Sequence, residues 1–128
     1  MMELRTVSRW LLAIAGVLLL AGSAFHTMAY GKATALIDAS NIPARNGALF
    51  KALWLVDSGE VLLVGVAFLA LAWRPRLANR AALGFLAALL LASATAVYVT
   101  VGNFPPAHVL LAAAALAITA ALLPAKQG

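Results

Sequence analysis

The sequence predicts an all-α fold: a polytopic membrane protein whose four transmembrane helices form an up-down antiparallel bundle. Three observations carry this. Of the 128 residues, 65% are hydrophobic and 10% are charged, against roughly 45–50% and 25% in soluble domains, and the mean hydropathy is +1.01. The apolar residues gather into four runs near or above the ~17–25 residues that a helix needs to cross hydrocarbon. The breaks between those runs hold four of the five prolines and most of the lysines and arginines. Lipid offers no partner for unpaired backbone groups, so spans without a closed barrel must be helices.

The first span is expected over about 10–30 and the second over about 48–73, with the third over 81–101 and the fourth over 107–123. The whole chain, 1–128, reads as one membrane domain, being shorter than the ~150 residues usual for a domain. Arg74, Pro75 and Arg76 end the second span and Arg80 precedes the third, giving a short positive hairpin. Gly102, Asn103, Phe104, Pro105 and Pro106 make the turn into the fourth, where a proline near the first helical position forfeits no intrahelical bond. The link 31–47 is longer and mixed in charge, with the turn residues Asn41, Pro43, Asn46 and Gly47. Its stretch from Ala33 to Ala39 is expected to form a short interfacial helix.

Charge gives the orientation. Arg5, Arg9, Arg74, Arg76, Arg80 and Lys126 fall on one side and Lys32, Arg45 and Lys51 on the other, so both termini are expected in the cytoplasm of a bacterial inner-membrane protein. The start of the chain also fits a cleavable signal peptide, with Arg5 and Arg9, an apolar core and Ala-Gly-Ser-Ala at 21–24. The apolar run exceeds the 7–15 residues of a usual signal core, which favours a retained span. The formal charge of +5 is scattered at the edges of the runs, so the expected partner is the lipid bilayer and not nucleic acid. A homo-oligomer or a larger membrane complex is compatible with the same surface. With no cysteine, disulfides, thiolate metal sites and a cysteine nucleophile are excluded.

For packing, the third span shows Gly84, Ala88, Ala92, Ala96 and Thr100 at a strict interval of four, and the fourth shows Ala113, Ala117 and Ala121. Membrane helices associate through such small-residue faces. These two are therefore expected to meet as an antiparallel pair.

The candidate site lies at Asp57 and Glu60, three residues apart in the second span. An ionised acid at a helix centre costs about 2.5–3.5 kcal/mol, so both are expected to face the interior and to share a proton as a coupled pair. His26, near the end of the first span, His108, in the first turn of the fourth, and Tyr98 of the third are expected at similar depth, with Trp54 one turn from Asp57 as a further lining residue. Together they suggest an outward-facing polar pocket that binds or moves a small solute, ion or proton. The same groups also fit a structural hydrogen-bond cluster in a non-catalytic accessory or assembly subunit. Two imidazoles and carboxylates suggest a membrane metalloprotein or redox protein as a third reading, but Asp-x-x-Glu lacks the histidine of the Glu-x-x-His pattern. No cofactor is specified by the sequence, and no Gly-rich phosphate loop, His-Glu-x-x-His or Gly-x-Ser-x-Gly signature marks an enzyme.

Overall fold

Four long apolar runs become four long helices, and the computed structural model, which describes residues 6–124, shows their arrangement. The order is α1 (Thr6–Met28), α2 (Tyr30–Asp38), α3 (Ala44–Trp73), a 3-10 turn (Pro75–Leu77), α4 (Arg80–Thr100) and α5 (Pro105–Leu122). The described residues contain no strand, and α1, α3, α4 and α5 are each long and apolar enough to cross a membrane. The chain is a multi-pass helical membrane protein. Arg5 and Lys126, used above for orientation, lie outside the described residues.

Helix ends follow local chemistry. Asn79 caps α4 by accepting a hydrogen bond from the Ala82 amide at 2.8 Å, as Asn favours at this position. At the other end of α4, Gly102 takes φ +87°, and its amide donates to the Tyr98 carbonyl at 3.1 Å. That left-handed glycine stop turns the chain into α5, which opens on Pro105 and Pro106.

The expected short helix in the link is present but starts earlier, at Tyr30. It continues α1 almost without a break: the Ala29 amide donates to Phe25 and the Ala33 amide to Ala29. Ile37 packs 3.2 Å from where a Cβ on Gly47 would stand, and Lys51 Nζ meets Asp38 Oδ1 at 2.6 Å. The link therefore folds back along α3. At 1.5 Å per residue, α1 with α2 and α3 extend about 45–50 Å, whereas α4 and α5 extend about 27–31 Å. One half of the bundle thus overhangs the other at the end that carries the link, called here the loop end. The opposite end carries Arg74, Arg76 and Arg80 and is called the arginine end.

Within the bundle α1 packs on α3 and on α5, and α4 joins chiefly through α5. The α1–α3 seam is regular. Arg9 meets Ala72, Gly16 meets Gly65 and Ser23 meets Ser58, so the contacts recur every seven residues on both helices, as in a left-handed coiled coil. At the middle crossing a Cβ on Gly16 would lie 2.9 Å from the Gly65 carbonyl, and one on Gly65 would lie 3.1 Å from the Gly16 carbonyl. Both glycines are needed for that approach.

The small-residue expectation holds for one partner only. Ala113, Ala117 and Ala121 of α5 are buried. Gly84, Ala88, Ala92, Ala96 and Thr100 of α4 are all exposed, and α4 instead buries Leu83, Ala87, Leu90 and Ala94. The reason is geometric: steps of four advance 400°, so a strict four-residue stripe drifts about 40° per step around the helix. Alternating steps of four and three keep to one side. The core gathers Leu12 and Leu19 of α1, Phe68 of α3, Leu83 of α4 and the alanines of α5 into one cluster.

Candidate functional site

The overhang makes the site. Where α5 stops short at Pro105, α1 and α3 continue past it, leaving a cleft of about 320 Å³ at the loop end. Gly22, Phe25, Ala29, Val61, Val109 and Leu110 supply most of its wall, with Phe104 and the two prolines at the turn. Ser23, His26, Asp57 and Ser58 form its polar edge.

The seven-residue repeat of the α1–α3 seam positions this edge. Ser58 lies in line with Gly65 and Ala72, so it turns inward and is 5% exposed. Its carbonyl accepts from Ser23 Oγ at 2.8 Å. Its own hydroxyl donates to the Trp54 carbonyl, one turn back, at 2.9 Å. A hydroxyl has one hydrogen, so Ser58 Oγ accepts at its 2.7 Å contact with His26 Nδ1. The Trp54 indole donates to the His26 carbonyl at 2.9 Å and stacks on the imidazole, with centroids 4.2 Å apart and planes 8° from parallel. Three contacts from α3 thus clamp one residue of α1, two of them on its ring. The free edge of that ring, Nε2, points at Asp57 Oδ2 across 3.6 Å.

The acids do not face the interior as the sequence suggested. The Asp57 side chain is 52% exposed on the cleft wall, and Glu60 is exposed outside it. Once Ser58 faces α1, Asp57 stands about 100° and Glu60 about 160° around α3 from it. Asp57 therefore reaches His26, and Glu60 does not take part. Spacing placed the two acids on one side of the helix, but the small residues between α1 and α3 decided which side faces in.

His108 and Tyr98 form a second, separate cluster. Tyr98 Oη and His108 Nδ1 are 2.6 Å apart, His108 Nε2 and Asn103 Oδ1 are also 2.6 Å apart, and the two rings are tilted by 58°. Neither residue lines the cleft. Thr95, about one turn from Tyr98, bonds its own helix at Leu91. The four helices thus supply two polar groups, one per half, and not one shared pocket. Trp54 is the backing of His26 and not a lining residue.

Among the described residues no three of His, Cys, Asp or Glu come together as metal ligands. Ser58, His26 and Asp57 bring together the residue types of a hydrolase triad, but the Ser58 proton is directed at a backbone carbonyl, which leaves the hydroxyl a positioning group. Sequence reasoning missed Ser23 and Ser58 as members of the site. The signal was present: Gly16 and Ser23, and Ser58, Gly65 and Ala72, recur at intervals of seven.

A second cleft, of about 450 Å³, lies at the arginine end between Arg9, Trp10, Leu69 and Trp73. Arg9 Nε donates to the Ala72 carbonyl at 2.9 Å and so satisfies one of the unpaired carbonyls of the last turn of α3. Compared with models of protein families, with curated proteins and with solved structures, the chain matches none of them.

Proposed function

We propose that the chain is an inner-membrane protein with both termini in the cytoplasm, and that it binds a small solute in the loop-end cleft, open to the outer side, with His26 and Asp57 as its protonatable centre. The observation that carries this reading is the His26 Nε2 to Asp57 Oδ2 gap of 3.6 Å on the wall of an apolar cleft. The ring is held from behind while its reactive edge is left to the cleft, as expected of a binding group on a rigid support. Arg9, Arg74, Arg76 and Arg80 at the opposite end support the orientation.

The cysteine-free chain permits a direct test. Ala29→Cys, on the cleft wall, is expected to react in intact vesicles with a membrane-impermeant maleimide added outside. A bound solute is expected to protect it. Absence of labelling from that side, with labelling after permeabilisation, would remove the outward-facing reading. In liposomes, solute-coupled proton movement is expected to be lost in Asp57→Asn and kept in Glu60→Gln.

A second reading is favoured by a different observation. Glu60, near mid-span, and the small residues of α4 are exposed, and an acid facing lipid costs about 2.5–3.5 kcal/mol. An accessory or assembly subunit would cover both with a partner helix. Copurification of a larger complex, lost in Glu60→Leu, is its expected outcome.

A further inference from the structure

We propose that the cleft takes a small primary amine with an apolar body, held as its ammonium ion between His26 Nε2 and the Asp57 carboxylate; this rests on the solute-binding reading above and names its ligand class. The argument follows one hydrogen. With the Ser58 hydroxyl hydrogen on the Trp54 carbonyl, the tautomer that completes the 2.7 Å contact is the one that carries its hydrogen on His26 Nδ1. A neutral imidazole protonated at Nδ1 is bare at Nε2. That bare acceptor faces a second acceptor, Asp57 Oδ2, at 3.6 Å.

Two acceptors facing each other call for donors between them. The gap is longer than a direct hydrogen bond, but an atom about 2.8 Å from each would bridge it. An ammonium head supplies one N–H to each acceptor, and its charge balances the single carboxylate. An alcohol has one donor and leaves one acceptor unmet. A quaternary ammonium has none. An anion has the wrong sign. No Lys or Arg lines the cleft, and its walls are otherwise apolar, with Phe25 and Phe104 among them. At about 320 Å³ the space is at the small end of ligand pockets, enough for a short aryl or alkyl body.

Calorimetry on the detergent-solubilised full chain tests this with phenethylamine, its N,N,N-trimethyl analogue and phenethyl alcohol at about pH 8, where the amine stays protonated as a lysine does. The amine is expected to bind at least tenfold tighter than either analogue. Asp57→Asn is expected to abolish the preference for the amine and His26→Leu to weaken it, while Asn103→Ala, outside the cleft, keeps it. If all three probes bind equally and Val109→Trp blocks them, the amine assignment is overturned and the cleft stands as a solute site. If none binds to the wild-type chain, the amine proposal is overturned, and the Ala29→Cys labelling decides the outward-facing cleft on its own.

Discussion

The two halves of the bundle are built from similar parts and put them to different use. Each is an antiparallel helix pair with one histidine at the loop end; small residues line the seam on both helices of α1–α3 and chiefly on α5 in the other pair. In the α1–α3 half, His26 is clamped by Ser58 and Trp54 and keeps one ring nitrogen open to a cleft and an acid. In the α4–α5 half, His108 has both ring nitrogens engaged. Asn103 Oδ1 can only accept, so Nε2 donates to it and Nδ1 accepts from Tyr98. A closed circuit of this kind holds a turn together. An open one leaves a place for a proton or a ligand.

The sharpest way to break this comparison is at the seams. Gly16→Leu is expected to destabilise the protein by about 3 kcal/mol or more, because even its Cβ would lie 2.9 Å from the Gly65 carbonyl, which cannot yield. Gly84→Leu on α4 is the control. A Cβ there meets nothing within 4 Å, so the change should stay within about 0.5 kcal/mol. Thermal unfolding in detergent separates them, and equal losses would show that α4 packs through its small-residue stripe after all.

Next come the two histidine environments. Ser58→Ala leaves the His26 Nδ1 hydrogen without its partner in a part-buried position, at a cost of about 1 kcal/mol or more. The Trp54–His26 stack should loosen with it, read as a change in tryptophan fluorescence. Tyr98→Phe removes one bond from an exposed circuit that water can replace, so a loss below about 1 kcal/mol is expected. A loss as large as that of Ser58→Ala would mean that the second cluster is not solvent-exposed in the membrane.

The smallest effect is expected at the link. Lys51 and Asp38 form an exposed ion pair at the loop end, which ordinarily contributes about 0–1 kcal/mol. Lys51→Ala should change thermal stability by no more than that, and the remainder should vanish in high salt. A larger, salt-resistant loss would place the overhang among the elements that hold the cleft open.

How much of this was legible in the residues differs from element to element. Helix class, span count, the Pro-Pro turn and the stop at Gly102 are local matters, set by apolar run length and by the backbone limits of proline and glycine. The polar residues at the loop ends of α1, α3, α4 and α5 were also readable. Their grouping was not. Asp57 and Glu60 share a side of α3, yet only Asp57 found a partner, because Ser58, Gly65 and Ala72 between them let α1 come close and so set the rotation of α3. The α4 stripe misled for a related reason: recurrence at four looks like a face on paper and winds around the helix in space.

By itself, the sequence determined that this chain lies in a membrane as four helices, since no other solvent tolerates so much apolar surface and no other element satisfies its backbone in lipid. Only the tertiary structure decided that one histidine faces an acid across a cleft while the other closes on its own turn. Rotation of a helix about its axis depends on which small residues meet across a seam. That is a property of two segments at once, carried by neither one alone.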